Sequence, residues 1–318
     1  MVLRRRERIL LGILVVGVAV TSAWRVGSLL WGRATDERPV ELAARRTALN
    51  VTSPAFTQPP TTNSMKLPTA SARAMAVYDV ESGYPLYEKN ETEVVPIAST
   101  TKLMTAIVVL DHYALDEVVT VSQAAASQIG SDINLVTGEK ITVESLLKGL
   151  LIKSGNDAAL ALAEHRGRDQ FVTWMNETAS ELGITNTRFL DPAGLDDEGH
   201  STARDLAVLA AYALRYEKVQ EIVALERVTI TAVDGSQVHE LETSNRLLKV
   251  DHPLYFQYAT GLKTGFTPAA GHCLVSSAVK NGHTVVSVVL GTTEQTVEAS
   301  AKESRKLLTW AFDSFSWK

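Results

Sequence analysis

Apolar and polar positions divide the chain into lengths of different character. Arg4-Arg5-Arg6-Glu7-Arg8 is followed by sixteen uncharged residues, Ile9 to Trp24, and Val26 to Trp31 is again mostly apolar. The first run falls somewhat short of the ~20 residues a helix needs to cross a bilayer core. With Trp24 and Trp31 as interface residues, 9–31 reads as an N-terminal membrane anchor or signal segment. The basic end, residues 1–8, then stays cytoplasmic and everything after the segment is outside. An uncleaved anchor is favoured because no other membrane attachment follows; cleavage near Ala23, behind the small residues Thr21-Ser22, would instead secrete the chain. From Gly32 to Arg73 the periodicity lapses around Pro59-Pro60 and a Thr/Ser/Asn patch, which predicts a disordered spacer over 32–73.

From Ala74 the pattern is that of a folded domain, 74–318. Two short strand-like runs, Ala74–Asp79 and Pro85–Glu88, flank a Glu-Ser-Gly-Tyr turn and predict a hairpin. Helical spacing follows from about Ala98 to Leu110, then over Glu144–Ile152, with leucines 146, 147, 150 and 151 on the buried side. Further helices are predicted over Asp157–His165, Phe171–Leu182 and Thr202–Tyr216. Strand-like runs then take over at Arg227–Ala232, Val238–Leu241, Ala259–Lys263, Gly271–Val279 and Thr284–Leu290, before a closing helix near Glu298–Phe312. The order hairpin, helices, strands, helix predicts an α+β fold: an antiparallel sheet with packed helices, plus a helical cluster.

Bulk numbers narrow the function. The 318 residues are 45% hydrophobic and 21% charged, enough for a sizeable core. A net charge of −5 gives no reason to expect a nucleic-acid partner. The single cysteine, Cys273, excludes an internal disulfide, and its apolar surroundings predict a buried thiol. No spacing among the seven histidines makes a metal site, and no cofactor motif is present.

Candidate chemistry begins at Pro96-Ile97-Ala98-Ser99-Thr100-Thr101-Lys102. On a helix starting near Ala98, Ser99 and Lys102 share one face a turn apart. A serine at a first helical turn has free backbone N–H groups beside it, and a desolvated lysine can serve as a base. Ser-x-x-Lys also occurs at 145–148 and 277–280, so the pair alone decides nothing. Ser154-Gly155-Asn156 follows a buried helix and is read as turning at the glycine, which by itself fits a plain helix C-cap. Lys263-Thr264-Gly265 ends a strand, with a glycine that lets another chain or a ligand approach. In this order, Ser-x-x-Lys, Ser-x-Asn and Lys-Thr-Gly form the signature of penicillin-binding proteins and class A β-lactamases.

On these triplets and the residues around them, the chain from Ala74 to Phe312 resembles the D-alanyl-D-alanine carboxypeptidases, the low-molecular-mass penicillin-binding serine peptidases. The likeness extends through Leu150 to Ala159, Asp191-Pro192-Ala193-Gly194-Leu195-Asp196-Asp197, Ser201 to Leu206, and Gly261 to Thr267. It implies a β-lactamase/penicillin-binding-protein-like fold. It also implies removal of the terminal D-alanine from peptidoglycan pentapeptides through a serine acyl-enzyme, with acylation by β-lactam antibiotics. Under the resemblance, Ser99 attacks the carbonyl and Lys102 takes its proton, its pKa lowered by burial and by the nearby cation Lys263. Backbone N–H groups of Ser99 and Phe266 form the oxyanion hole, and Ser154 passes the proton to the departing D-alanine. Asn156 holds the donor peptide, and Lys263 with Thr264, beside Gly265, binds the terminal carboxylate. No metal or other cofactor is implied.

Three departures from the family pattern stand out. Members often carry a further C-terminal β-domain and amphipathic anchor, whereas this chain ends just after its closing helix, leaving the N-terminal segment to do the anchoring. Many also have an arginine three residues before the Glu-Ser pair of the last helix, where this chain has Ser300. The usual aromatic after Gly199-His200 is missing. A class A β-lactamase is the nearest rival, but no glutamate between Ser154 and Lys263 has an asparagine four residues on, and that residue is what drives deacylation there. A non-enzymatic cell-wall binder would have no need of an aligned nucleophile and base.

Overall fold

Five strands lie edge to edge in one antiparallel sheet: β1 (Ala72–Asp79), β2 (Pro85–Lys89), β3 (Ala259–Thr267), β4 (Gly271–Lys280) and β5 (His283–Thr292). Their order across the sheet is β3-β4-β5-β1-β2, so the N-terminal hairpin is completed by the three C-terminal strands. The structure, a computed structural model, describes residues 58–62 and 67–317. The expected anchor or signal segment and most of the spacer lie outside the described residues. Among the described residues no helix is long and apolar enough to cross a membrane.

The central strands are apolar on both faces because both are covered. On one side Met75, Val77, Leu274, Val285 and Val289 pack against Leu307, Leu308 and Ala311 of the closing helix, α5, once the helices are numbered α1 (Lys102–His112), α2 (Asn156–Arg166), α3 (Arg168–Glu181), α4 (Ala203–Ala213) and α5 (Ala299–Ser314). The alternate residues Ala74, Ala76, Val286 and Val288 are buried on the other side, where α4 lies against β1 and β5. Helix α1 is buried along Lys102–Val109, as expected of a helix without a polar face. With α2 and α3 it forms the predicted helical cluster.

Three features differ from the sequence pattern. Arg227–Thr231 and Val238–Glu242 pair with each other in a separate hairpin rather than joining the sheet. Their alternation of exposed and buried residues fits a ribbon with one covered face. The end of the predicted spacer belongs to the fold: Thr61–Thr62 pairs with Phe315–Ser316, and β1 already begins at Ala72. The helix predicted over Glu144–Ile152 is α-helical only from Val143 to Lys148 and then widens into a π turn, Gly149–Lys153. Gly155 N–H reaches back to the Gly149 carbonyl at 3.0 Å across that turn.

Candidate active site

Ser99 lies in a 3-10 turn, Ala98–Thr101, that leads directly into α1 at Lys102. Ser99 is half-buried and therefore reachable, whereas Lys102 is fully buried. Lys102 Nζ lies 2.9 Å from Ser99 Oγ, 2.7 Å from Asn156 Oδ1 and 2.7 Å from the Ala193 carbonyl. The last two partners can only accept. A neutral amine has two N–H bonds and one lone pair, so donating to both carbonyl oxygens aims the lone pair at the Ser99 hydroxyl. Burial pushes the Lys102 ammonium down to about 7, and Asp191 and Asp157 partly oppose that shift. The amine is thus poised to lose its proton near neutrality while facing the hydroxyl.

Two loops hold this base. Asp191 accepts four backbone N–H bonds, from Ala193, Gly194, Leu195 and Asp196, at 2.6–3.0 Å. That curls the loop so that Ala193 presents its carbonyl to Lys102, and Thr105 Oγ1 donates to the Pro192 carbonyl at 2.6 Å. Gly194 has φ +74° and its absent Cβ would sit 2.0 Å from the Ala98 carbonyl oxygen, so only glycine fits there. On the other side Asn156, at the start of α2, donates from Nδ2 to the Ile129 carbonyl at 2.6 Å while its Oδ1 meets Lys102. Asp157 takes the N–H groups of Ile133 and Leu135 at 3.0–3.1 Å. Burial lifts its carboxyl above the usual carboxylate range against those bonds.

Ser154 stands between the π turn and α2, and the chain turns there rather than at Gly155. Ser154 has φ 68° and ψ 31°, while Gly155 keeps φ −55°. A non-glycine residue in the left-handed region is uncommon and frequent at functional sites. Ser154 is buried, and none of the three Lys102 bonds goes to it.

The opposite wall is β3. Gly265 pairs with Cys273, and a Cβ on Gly265 would lie 3.2 Å from the backbone nitrogens of Ser99 and Thr100. The strand can therefore run against the turn that carries Ser99. Lys263 is fully buried, and its Nζ donates to the Thr264 carbonyl at 2.9 Å. No carboxylate among the described residues pairs with it. Burial and, after it, the charge of Lys102 hold its pKa well below the usual lysine value. Because a charge on one amine disfavours a charge on the other, their titrations belong to the pair. Thr264 Oγ1 meets Ser244 Oγ at 2.6 Å, and Phe266, 53% exposed, stacks on His272 with ring centroids 4.4 Å apart.

Ser99, Lys102 and Asn156 are thus in direct contact, Lys263 is linked to Lys102 through its field, and Gly265 touches the serine turn. Asp191, Ala193 and Asp157 carry the base without having been assigned a role from the sequence. The signal for the first was an aspartate ahead of Pro-Ala-Gly, a side chain suited to collecting successive backbone N–H groups. Ala193 acts through its carbonyl, which side-chain identity does not report.

A serine turn and a buried amine set against a sheet edge give the candidate site its form, and comparison with known proteins gives the chain its family. Residues 61–294 match the family described as D-alanyl-D-alanine carboxypeptidase, peptidase family S11, and the chain belongs to that family. It is similar to D-alanyl-D-alanine carboxypeptidase DacF of Bacillus subtilis, 35% identical over 252 residues, 77% of this chain and 63% of that protein. It is also similar to D-alanyl-D-alanine carboxypeptidase DacC of Escherichia coli, 37% identical over 266 residues, 79% of this chain and 64% of that protein. The chain therefore spans just under two thirds of the length of these two relatives. The crystal structure of the Streptomyces K15 DD-transpeptidase superposes with a TM-score of 0.73 at 32% identity, covering 78% of this chain and 100% of that one.

Proposed function

We propose that the protein is a serine D-alanyl-D-alanine carboxypeptidase that removes the terminal D-alanine from peptidoglycan stem pentapeptides and is acylated by penicillins. The observation that carries this reading is the contact between a fully buried amine and a reachable hydroxyl, Lys102 Nζ to Ser99 Oγ at 2.9 Å. Lys102 takes the Ser99 proton as Oγ attacks the carbonyl between the two D-alanines. Backbone N–H groups of Ser99 and Phe266 receive the developing oxyanion, where one such donor is typically worth ~2.7–4 kcal/mol. The C–N bond then breaks as Ser154 hands its proton to the leaving amine and takes the proton held by Lys102 in return, so that both residues end neutral and D-alanine departs from the ester on Ser99. Water attacks that ester and regenerates the hydroxyl. No cofactor is required, since the lysine supplies the base.

Asn156 has a second N–H left for the donor peptide once Ile129 has taken the first, and it holds the base as well. Lys263, with Thr264 beside it, receives the terminal carboxylate, whose charge favours the protonated amine against burial and makes the bond charge-assisted; among the described residues no carboxylate already pairs with it. Lys263→Ala is expected to weaken kcat/KM for a substrate ending in a free carboxylate by ~1.5–3 kcal/mol, about ten- to more than a hundredfold, and far less for the amidated form. Equal losses for both substrates would show that Lys263 does not read the carboxylate. The apolar, basic-flanked N-terminal segment supports placing the domain on the outer face of the bacterial cell membrane, anchored through residues 9–31.

Escape from penicillin separates this reading from a β-lactamase. When D-alanine leaves, water can enter; with a β-lactam the leaving group stays tethered and blocks that approach. A glutamate to activate a water is missing at the required spacing. Intact-protein mass spectrometry is expected to show a penicilloyl adduct on Ser99 that lasts at least minutes. An adduct that clears within seconds, with many antibiotic molecules turned over per protein, would make the protein a β-lactamase.

A further inference from the structure

Glu139 and His239 form a hydrogen-bonded pair in which both side chains are buried, 0% and 4% exposed, and neither belongs to the site described above. His239 Nε2 meets Glu139 Oε1 at 2.8 Å. The second carboxylate oxygen accepts the Val136 N–H at 3.0 Å.

Each partner lies on a segment that reaches one wall of the cleft. Glu139 closes residues 127–139, which contain no helix or strand. Within that stretch the Ser131 carbonyl accepts the Asn156 backbone N–H at 2.7 Å, and the Ile129 carbonyl accepts Asn156 Nδ2 at 2.6 Å. The N–H groups of Ile133 and Leu135 hold Asp157. His239 lies in the hairpin that ends at Glu242 and runs straight into Thr243 and Ser244. Ser244 donates its N–H to the Ile152 carbonyl at 3.0 Å and shares a hydrogen bond with Thr264. The turn of the hairpin adds a bond from Val233 N–H to the Lys140 carbonyl at 2.7 Å.

We propose that the Glu139–His239 pair is a positioning device for acylation: it clamps the 127–139 loop to the 227–242 hairpin, so that Asn156 keeps its oxygen on Lys102 while Ser244 and Thr264 stay in step across the cleft. Neither residue touches substrate; both act through Asn156. A buried polar pair of this kind stabilises no better than well-packed apolar residues, because the cost of desolvation offsets its attraction. What it adds is direction, which a loop without secondary structure lacks. The inference rests on Ser99 being the acylated serine.

The test compares Glu139→Leu/His239→Leu, His239→Ala and His239→Gln in the full chain. The double variant fills the space without the directed bond, so its melting temperature is expected to stay close to native. Its rate constant for acylation by benzylpenicillin is expected to fall about ten- to a hundredfold, as when a reacting group is displaced by about an ångström. Water then reaches Lys102 and relieves the burial that holds its pKa at about 7, so the acid limb of acylation moves to higher pH. The charged groups facing Lys102, namely Asp157, Asp191 and Lys263, are unchanged in every variant. His239→Gln, whose amide can donate to Glu139, is expected to restore rate and limb where His239→Ala does not. Native rate and limb in the double variant would overturn the proposal. So would a rate loss that only tracks loss of folded protein with an unmoved limb, or a glutamine no better than alanine. Failure of the unaltered protein to form any adduct would instead defeat the reading of Ser99 itself.

Discussion

Ser99→Ala is expected to give a folded protein that neither gains mass from a penicillin nor releases D-alanine, a loss of at least about 10⁴-fold in turnover. The 3-10 turn is built from backbone bonds, including Thr100 N–H to the Ile97 carbonyl, and alanine leaves them intact. Lys102 keeps its two carbonyl partners, so the base stays placed but has no hydroxyl to deprotonate. Neighbouring hydroxyls cannot stand in. Thr100 and Thr101 are buried, and Thr100 Oγ1 is committed to the Ile97 carbonyl at 2.7 Å. Peptide mapping after incubation with a penicillin checks the result, and a label retained on another residue would move the nucleophile elsewhere.

Lys102→Met removes the amine at nearly constant length. Loss of a positioned general base typically lowers the rate by ~10²–10⁴-fold. In the unaltered protein acylation should rise with pH through about 7, as the ammonium gives up its proton, and then level off. The variant's residual rate should lack that rise. Stability supplies an independent check with a definite sign. The folded pKa lies below the unfolded value of 10.5, so between about pH 7 and 10.5 the unfolded state binds more protons and stability climbs with pH. Below that window the amine is charged in both states and the full penalty of burying it is present. Relative to the methionine variant, the melting temperature of the unaltered protein is therefore expected to rise from pH 7 toward pH 10. A flat difference would mean that the amine is not held low.

Much of this was legible in the sequence because it depends on periodicity and local residue type. The runs at 271–279 and 284–290 read as strands because they are largely apolar, interrupted beyond His272 and Thr284 only by small serines, as suits strands covered on both faces, and α1 read as a helix with no polar side. Ser99, Lys102 and Lys263 were legible because their chemistry resides in the side chain itself. The bend at Ser154 was misplaced at Gly155, because glycine is the usual left-handed residue and the π turn that shifts the bend leaves no mark on residue type. The hairpin at 227–242 alternates like any half-buried strand pair, and alternation does not say which sheet a strand joins. Asn156 on Lys102, Asp157 on the 127–139 loop and Glu139 on His239 are contacts across 22 to 100 residues, which no window along the chain can register.

The short pairing of Thr61–Thr62 with Phe315–Ser316 has a mechanical side. A pull transmitted through the leader meets this two-residue seam first. Two residues give way at small load, and the seam acts as a fuse. The next resistance is β1, paired with β5 from Ala72 to Asp79 and with β2 from Met75 to Tyr78. A strand gripped on both flanks and loaded along its axis must break its bonds together, in shear, rather than one after another. Ser99 and Asn156 lie outside the seam and outside β1, and Lys263 lies in β3, which β4 and β5 separate from β1 in the sheet, so neither the seam nor β1 carries a residue of the candidate site.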